Sequence, residues 1–67
     1  MDRVKIAETL RRLRRDRGET QEELADALGV TASSIGMYET GERIPRDEVK
    51  IKIAQHFNLS VGDIFFD

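Results

Sequence analysis

The 67-residue chain has no cysteine, one proline and one histidine. Without cysteine there is neither a disulfide framework nor a thiolate metal site, so a small core has to be held by packing and capping alone. With His56 as the single histidine and no glycine-rich phosphate loop after a strand, no catalytic set is recognisable, and an enzyme is not expected. His56 itself is expected at the surface near a helix end. Nothing in the sequence points to a cofactor, a metal or a small-molecule ligand. No apolar run approaches the ~18 residues needed to cross a bilayer, and no segment pairs a basic start with an apolar centre as a signal peptide does. A soluble, cytoplasmic protein forming one domain over residues 1–67 is the expectation. An excess of positive charge is missing too: eleven basic residues against thirteen acidic give a net charge of −2 and a pI near 5.3. That total has the wrong sign for the simplest nucleic-acid binder.

The distribution of charge says more than its sum. Arg3, Lys5, Arg11, Arg12, Arg14, Arg15 and Arg17 all precede Gly18, and Arg43, Arg46, Lys50 and Lys52 form a second cluster, while acidic residues dominate from Glu19 to Asp26. If the basic groups flank one surface and the acidic ones face away, attraction for phosphate survives a negative total. Solvated helix faces are the plainer explanation for any single arginine.

The pattern along the chain predicts an all-α protein of five helices. Ile6, Leu10 and Leu13 make an i, i+4, i+7 stripe on a first helix from about Arg3 to Asp16, with Asp2 as cap and Gly18 as stop. Thr20 and Glu23 have the spacing of a capping box, and Leu24, Ala25 and Leu28 form the buried side of the second helix. Gly29 stands where the chain must leave that helix with positive φ; Val30 plugs the turn, and Thr31 caps a third helix that buries Ile35 and Tyr38. Thr40 to Arg43 form a turn, and Pro45 marks the start of the fourth helix. Val49, Ile51 and Ile53 alternate with Lys50 and Lys52 as a strand would, yet Val49, Ile53 and Phe57 also fit a helix, and a lone strand would strand its backbone groups. The helical reading puts Ile51 outside. Asn58 then closes the helix in the left-handed region, Leu59 packs, and Ser60 with Asp63 opens a short last helix whose Val61, Ile64 and Phe65 complete the core.

Two capped helices joined by a tight glycine turn, Thr20 to Glu39, are the arrangement by which a short protein lays a helix across DNA. With LRRLRRDRGETQEELA before and through it, and YETGERIP and IKIAQHFNLSVGDIF after it, the chain resembles the phage repressor and Cro family of helix-turn-helix domains (XRE-type regulators) from about Ile6 to Phe66. The resemblance implies a compact five-helix bundle, lambda-repressor-like, with the motif formed by helices 2 and 3. It implies a sequence-selective transcriptional regulator of double-stranded DNA, acting as a two-fold homodimer.

Carried over position by position, the resemblance implies base contacts from Thr31, Ala32, Ser33 and Met37. None of these is the Arg, Lys, Gln or Asn that makes paired bonds to base edges, so weak readout biased to thymine methyl groups and to DNA shape is expected. Gln21, Arg43 and the backbone at Gly41 match phosphate contacts, and Arg17 is expected to add charge near Gln21. Arg14 and Glu39 match a structural ion pair. Ile51 and Phe66, apolar and not needed for the core, are the candidates for a dimer patch.

Two departures stand out. Glu19 occupies a place where an apolar residue usually packs, removing the hydrophobic staple. Gly36 weakens the third helix by roughly 0.5–1 kcal/mol relative to alanine, which close approach to DNA or to a neighbouring helix would explain. The uncharged face and acidic total also admit a different class of function, a protein-interaction module such as an antirepressor, an antitoxin-like partner or an adaptor.

Overall fold

The computed structural model describes residues 2–66 and arranges them as α1 (Arg3–Asp16), α2 (Gln21–Leu28), α3 (Ala32–Thr40), α4 (Asp47–Phe57) and α5 (Val61–Phe65). Local chemistry fixes the helix ends. The Asp2 carboxylate accepts from the amides of Val4 and Lys5 at the start of α1. Thr20 and Glu23 exchange bonds of 3.0 and 2.9 Å, and Ser60 and Asp63 exchange 3.0 and 3.1 Å, so α2 and α5 each begin with a complete capping box.

Three of the helices stop in the same way. At Gly29 (φ 71°) the chain turns left-handed, its amide reaching Asp26 and the next amide, of Val30, reaching back to Ala25 at 3.0 Å. This pair of bonds satisfies carbonyls that the helix end would otherwise strand. Gly18 ends α1 by the corresponding bonds to Arg15 and Arg14. Asn58 (φ 59°) ends α4 with bonds to Gln55 and Ala54, and it is the one non-glycine residue at positive φ among those described. Each stop ends its helix within a few residues, which lets five short helices pack round one core.

That core is a single cluster in which Ile6 and Leu10 of α1, Leu24, Ala25 and Leu28 of α2, Ile35 and Tyr38 of α3, Val49, Ile53, Ala54 and Phe57 of α4, and Ile64 and Phe65 of α5 meet. α3 packs against both α1 and α2, while α4 bridges α2 and α5. Leu24 and Ile53 are each only 1% exposed, and truncating a side chain so enclosed typically costs about 2–5 kcal/mol. In a protein of this size that is a large share of the total stability.

Three expectations need correction, those for Pro45, Leu59 and His56, and the burial of Lys50 is a further finding. Pro45 is buried but precedes α4, which begins at Asp47 after Arg46 with no side-chain cap bond. Leu59 does not pack; it is exposed, because the turn at Asn58 directs it outward while Val61 lies half-buried against the core. Lys50 is buried, although it alternates with apolar neighbours. Its ammonium is 3.4 Å from Asp47 Oδ1 and lies over the rings of Phe65 and Phe66, so its stem covers α5 while its charge keeps partners. His56 is not a free surface residue; its Nε2 is 2.7 Å from Glu19 Oε2, and both side chains are largely shielded. Glu19 therefore replaces the missing apolar staple with a polar clasp between the α1–α2 turn and the end of α4. Its second oxygen, Oε1, is sealed without a partner.

Candidate nucleic-acid interface

α3 is held at its back. Ile35 and Tyr38 enter the core, and Glu39, only 3% exposed, turns inward under α1. Arg14 donates to both Glu39 carboxylate oxygens, from Nε at 2.6 Å and from a terminal nitrogen at 3.0 Å, and its other terminal nitrogen donates to the Glu19 carbonyl at 2.7 Å. Arg11 donates to the Glu39 carbonyl. The hydrogen bonds that Arg14 donates to Glu39 hold its guanidinium above its ordinary pKa, against the opposing effect of burial. One arginine thus fixes the end of α3 to the turn that starts α2, with planar two-point geometry that a lysine could not reproduce.

The outer side of α3 follows from that anchoring. Thr31 caps the helix by accepting from the Ser34 amide at 3.0 Å, and its hydroxyl also donates to Ser34 Oγ. Ser33 is exposed, Met37 is half-buried, and Ala32 is half-buried against the core, so Ala32 presents less surface than the sequence suggested. Gly36 is not explained by its neighbours: a Cβ built there would meet only the Gln21 side-chain nitrogen, at 4.0 Å. No charged side chain stands on this strip between Thr31 and Glu39.

Gln21, exposed at the first position of α2, lies beside this strip. Its side-chain nitrogen donates to Glu39 Oε1 at 3.1 Å, which orients the amide and leaves it a second hydrogen for an outside acceptor. On the other flank, Gly41 ends α3 at φ 80°, and the Arg43 amide returns to the Met37 carbonyl. The Arg43 side chain is exposed. Arg17 is placed elsewhere than expected. It donates to the His56 carbonyl at 2.8 Å and lies over the Phe57 ring, drawn to the carbonyl end of α4 and away from Gln21. Ile51 and Phe66 are both exposed, at 50% and 62%, and line one surface depression with Lys50 and Val61.

The sequence did not announce the Gln21–Glu39 bond or the Glu19–His56 clasp. The members of each pair are 18 and 37 positions apart, and no local periodicity links them. Among the described residues no group of His, Asp and Glu gathers as a metal site, and no helix is long and apolar enough to cross a membrane.

A helix-turn-helix family model matches residues 10–64, from the middle of α1 to α5. The chain belongs to the helix-turn-helix family. This helix-turn-helix chain is 34% identical over 61 residues to the cryptic phage CTXphi transcriptional repressor RstR of Vibrio cholerae, spanning 91% of its own length and about half, 54%, of the repressor's. It is 39% identical over 56 residues to an uncharacterized helix-turn-helix-type transcriptional regulator of Archaeoglobus fulgidus, covering 84% of this chain and 80% of that one. Among solved structures, the clp gene regulator ClgR of Corynebacterium glutamicum superposes with a TM-score of 0.84 at 28% identity, over 96% of this chain and 68% of that one.

Proposed function

We propose that the chain is a DNA-binding transcriptional regulator, acting as a repressor in the cytoplasm, that lays α3 in the major groove of double-stranded DNA. The observation that carries this reading is the family match over residues 10–64 on a fold whose α3 is anchored from behind and bare of charge in front. Thr31, Ala32, Ser33 and Met37 meet base edges, with Ala32 and Met37 suited to thymine methyl groups. Gln21 on one flank, and Arg43 with the backbone at Gly41 on the other, meet the phosphates that border the groove. Arg17, occupied at the end of α4, contributes only to the long-range field.

A single module of this size buries too little DNA for tight specific binding, so a two-fold dimer on half-sites about one helical turn apart completes the reading. The exposed Ile51 and Phe66 supply the apolar patch for it. Sedimentation at tens of micromolar showing monomer alone would remove the dimer.

The deciding experiment is an anisotropy titration with mixed-sequence duplex at low and moderate salt. Binding that weakens steeply with salt is expected. No binding even at low salt would replace this reading with a protein-interaction module, which the net charge of −2 and the uncharged α3 face favour.

A further inference from the structure

The basic residues that precede Gly18 are divided by task in the fold. Arg14 and Arg11 hold the end of α3, and Arg17 holds the end of α4. Arg3 does neither: its side chain is exposed and makes no ion pair or hydrogen bond with another described residue.

Its position is nonetheless fixed. The Asp2 carboxylate caps the first turn of α1. A Cβ built at Gly41 would lie 3.5 Å from the Arg3 carbonyl oxygen and 3.7 Å from Arg3 Cβ, so the Arg3 side chain leaves α1 directly beside the backbone of Gly41, where α3 ends. Arg3 and Arg14 are about three helical turns apart. Both therefore project from the side of α1 that packs against α3.

The placement works against the helix that carries it. The first turn of a helix is its positive end and favours acidic side chains. Beyond the cap Asp2, the first turn of α1 holds no acidic residue, and Arg3 occupies its first position. An unpaired cation there is unfavourable for the free protein, and what it gains lies outside the fold.

We propose that Arg3 contacts a duplex phosphate, so that α1 becomes a third element, beside α2 and the turn after α3, in positioning the domain on DNA. This rests on the regulator reading above. The contact falls on a phosphate neighbouring the one met by the Gly41 backbone, and it carries no sequence information of its own.

The test is anisotropy titration of the whole chain with two unrelated duplexes over a range of salt, beside thermal melting. Arg3→Ala should weaken both duplexes alike, about fivefold at moderate salt, and lower the slope of log affinity against log salt by about one. Its melting temperature should equal or exceed that of the wild type, because a cation leaves the positive end of α1. Arg3→Lys, which keeps the charge, should regain most of the affinity and slope. Arg12 is exposed on the opposite side of α1, so Arg12→Ala removes the same charge and reads the long-range field alone; it should change the slope less than Arg3→Ala does. Equal changes in the two alanine variants, or an unchanged slope in Arg3→Ala, overturn the contact while duplex binding by the wild type leaves the regulator reading standing. A lowered melting temperature with affinity that Arg3→Lys does not regain also overturns it. A wild type that binds no duplex even at low salt removes the regulator reading and this contact together.

Discussion

Glu39, at the end of α3, receives Arg14 on both carboxylate oxygens and Gln21 on one of them, so a single enclosed acid joins α1, α2 and α3. Its removal strands the Arg14 guanidinium, only 12% exposed, beside an emptied pocket. Glu39→Ala should destabilise the fold by about 3 kcal/mol. In a domain of this size that lowers the melting temperature by more than about 10 °C. Glu39→Gln, which keeps acceptor and shape while losing the charge, should cost less. Equal melting temperatures for wild type and Glu39→Ala would mean that the pair contributes orientation without stability.

Arg43 gives a prediction with a different readout. Its side chain lies exposed beyond α3 while its backbone is held to Met37, which suits a phosphate contact that positions the domain without reading sequence. Arg43→Ala should weaken all duplexes alike and reduce the slope of log affinity against log salt by about one. Anisotropy titrations across salt on two unrelated duplexes check this. A changed ratio between the two sequences with an unchanged slope would move Arg43 from phosphate to base.

The fold was legible because each local rule agreed with its neighbours. Capping residues at Asp2, Thr20, Thr31 and Ser60, left-handed stops at Gly18, Gly29 and Asn58, and the stripes of Leu and Ile all point to one bundle. Even the strand-like run from Val49 to Ile53 is helical, since Lys50 runs its stem along α5 and places its charge at Asp47. The interface was legible less evenly. Its helix could be placed from spacing, but the direction of a long side chain depends on partners distant in sequence. Arg17 goes to the end of α4, His56 goes to Glu19, and Gln21 goes to Glu39. Arg3 was readable as one of a basic cluster, whereas its place beside Gly41 belongs to the assembled fold.

Strong acid should loosen the last helix. Hydrogen bonds from the Ser60 amide and hydroxyl side hold the Asp63 carboxyl below its ordinary pKa of 3.8. A depressed carboxylate stabilises the fold above its unfolded pKa and loses that contribution as pH falls through the lower folded value. The α5 cap should therefore be intact at neutral pH and weaken only below about 3.8. Amide exchange or NMR line shapes of Val61–Phe65 followed down in pH would show it. In Asp63→Asn this acid step should vanish; a step of the same size in the variant would assign it to another carboxylate.

Gly36 separates stability from binding most sharply. Its φ is not in the left-handed region, and a Cβ would find only the Gln21 side-chain nitrogen at 4.0 Å, so the fold has room for alanine. Alanine in mid-helix should add roughly 0.5–1 kcal/mol and raise the melting temperature by a few degrees. Close packing against a neighbouring helix, one of the two explanations for this glycine, is thereby excluded among the described residues. Close approach from outside remains: a methyl group beside Ser33 and Met37 would hold the α3 backbone away from base edges. Gly36→Ala is therefore expected to melt later and bind duplex more weakly, two changes of opposite sign that global unfolding cannot produce together. If the variant melts later and binds as well as the wild type, the groove-facing strip of α3 lies elsewhere on the helix.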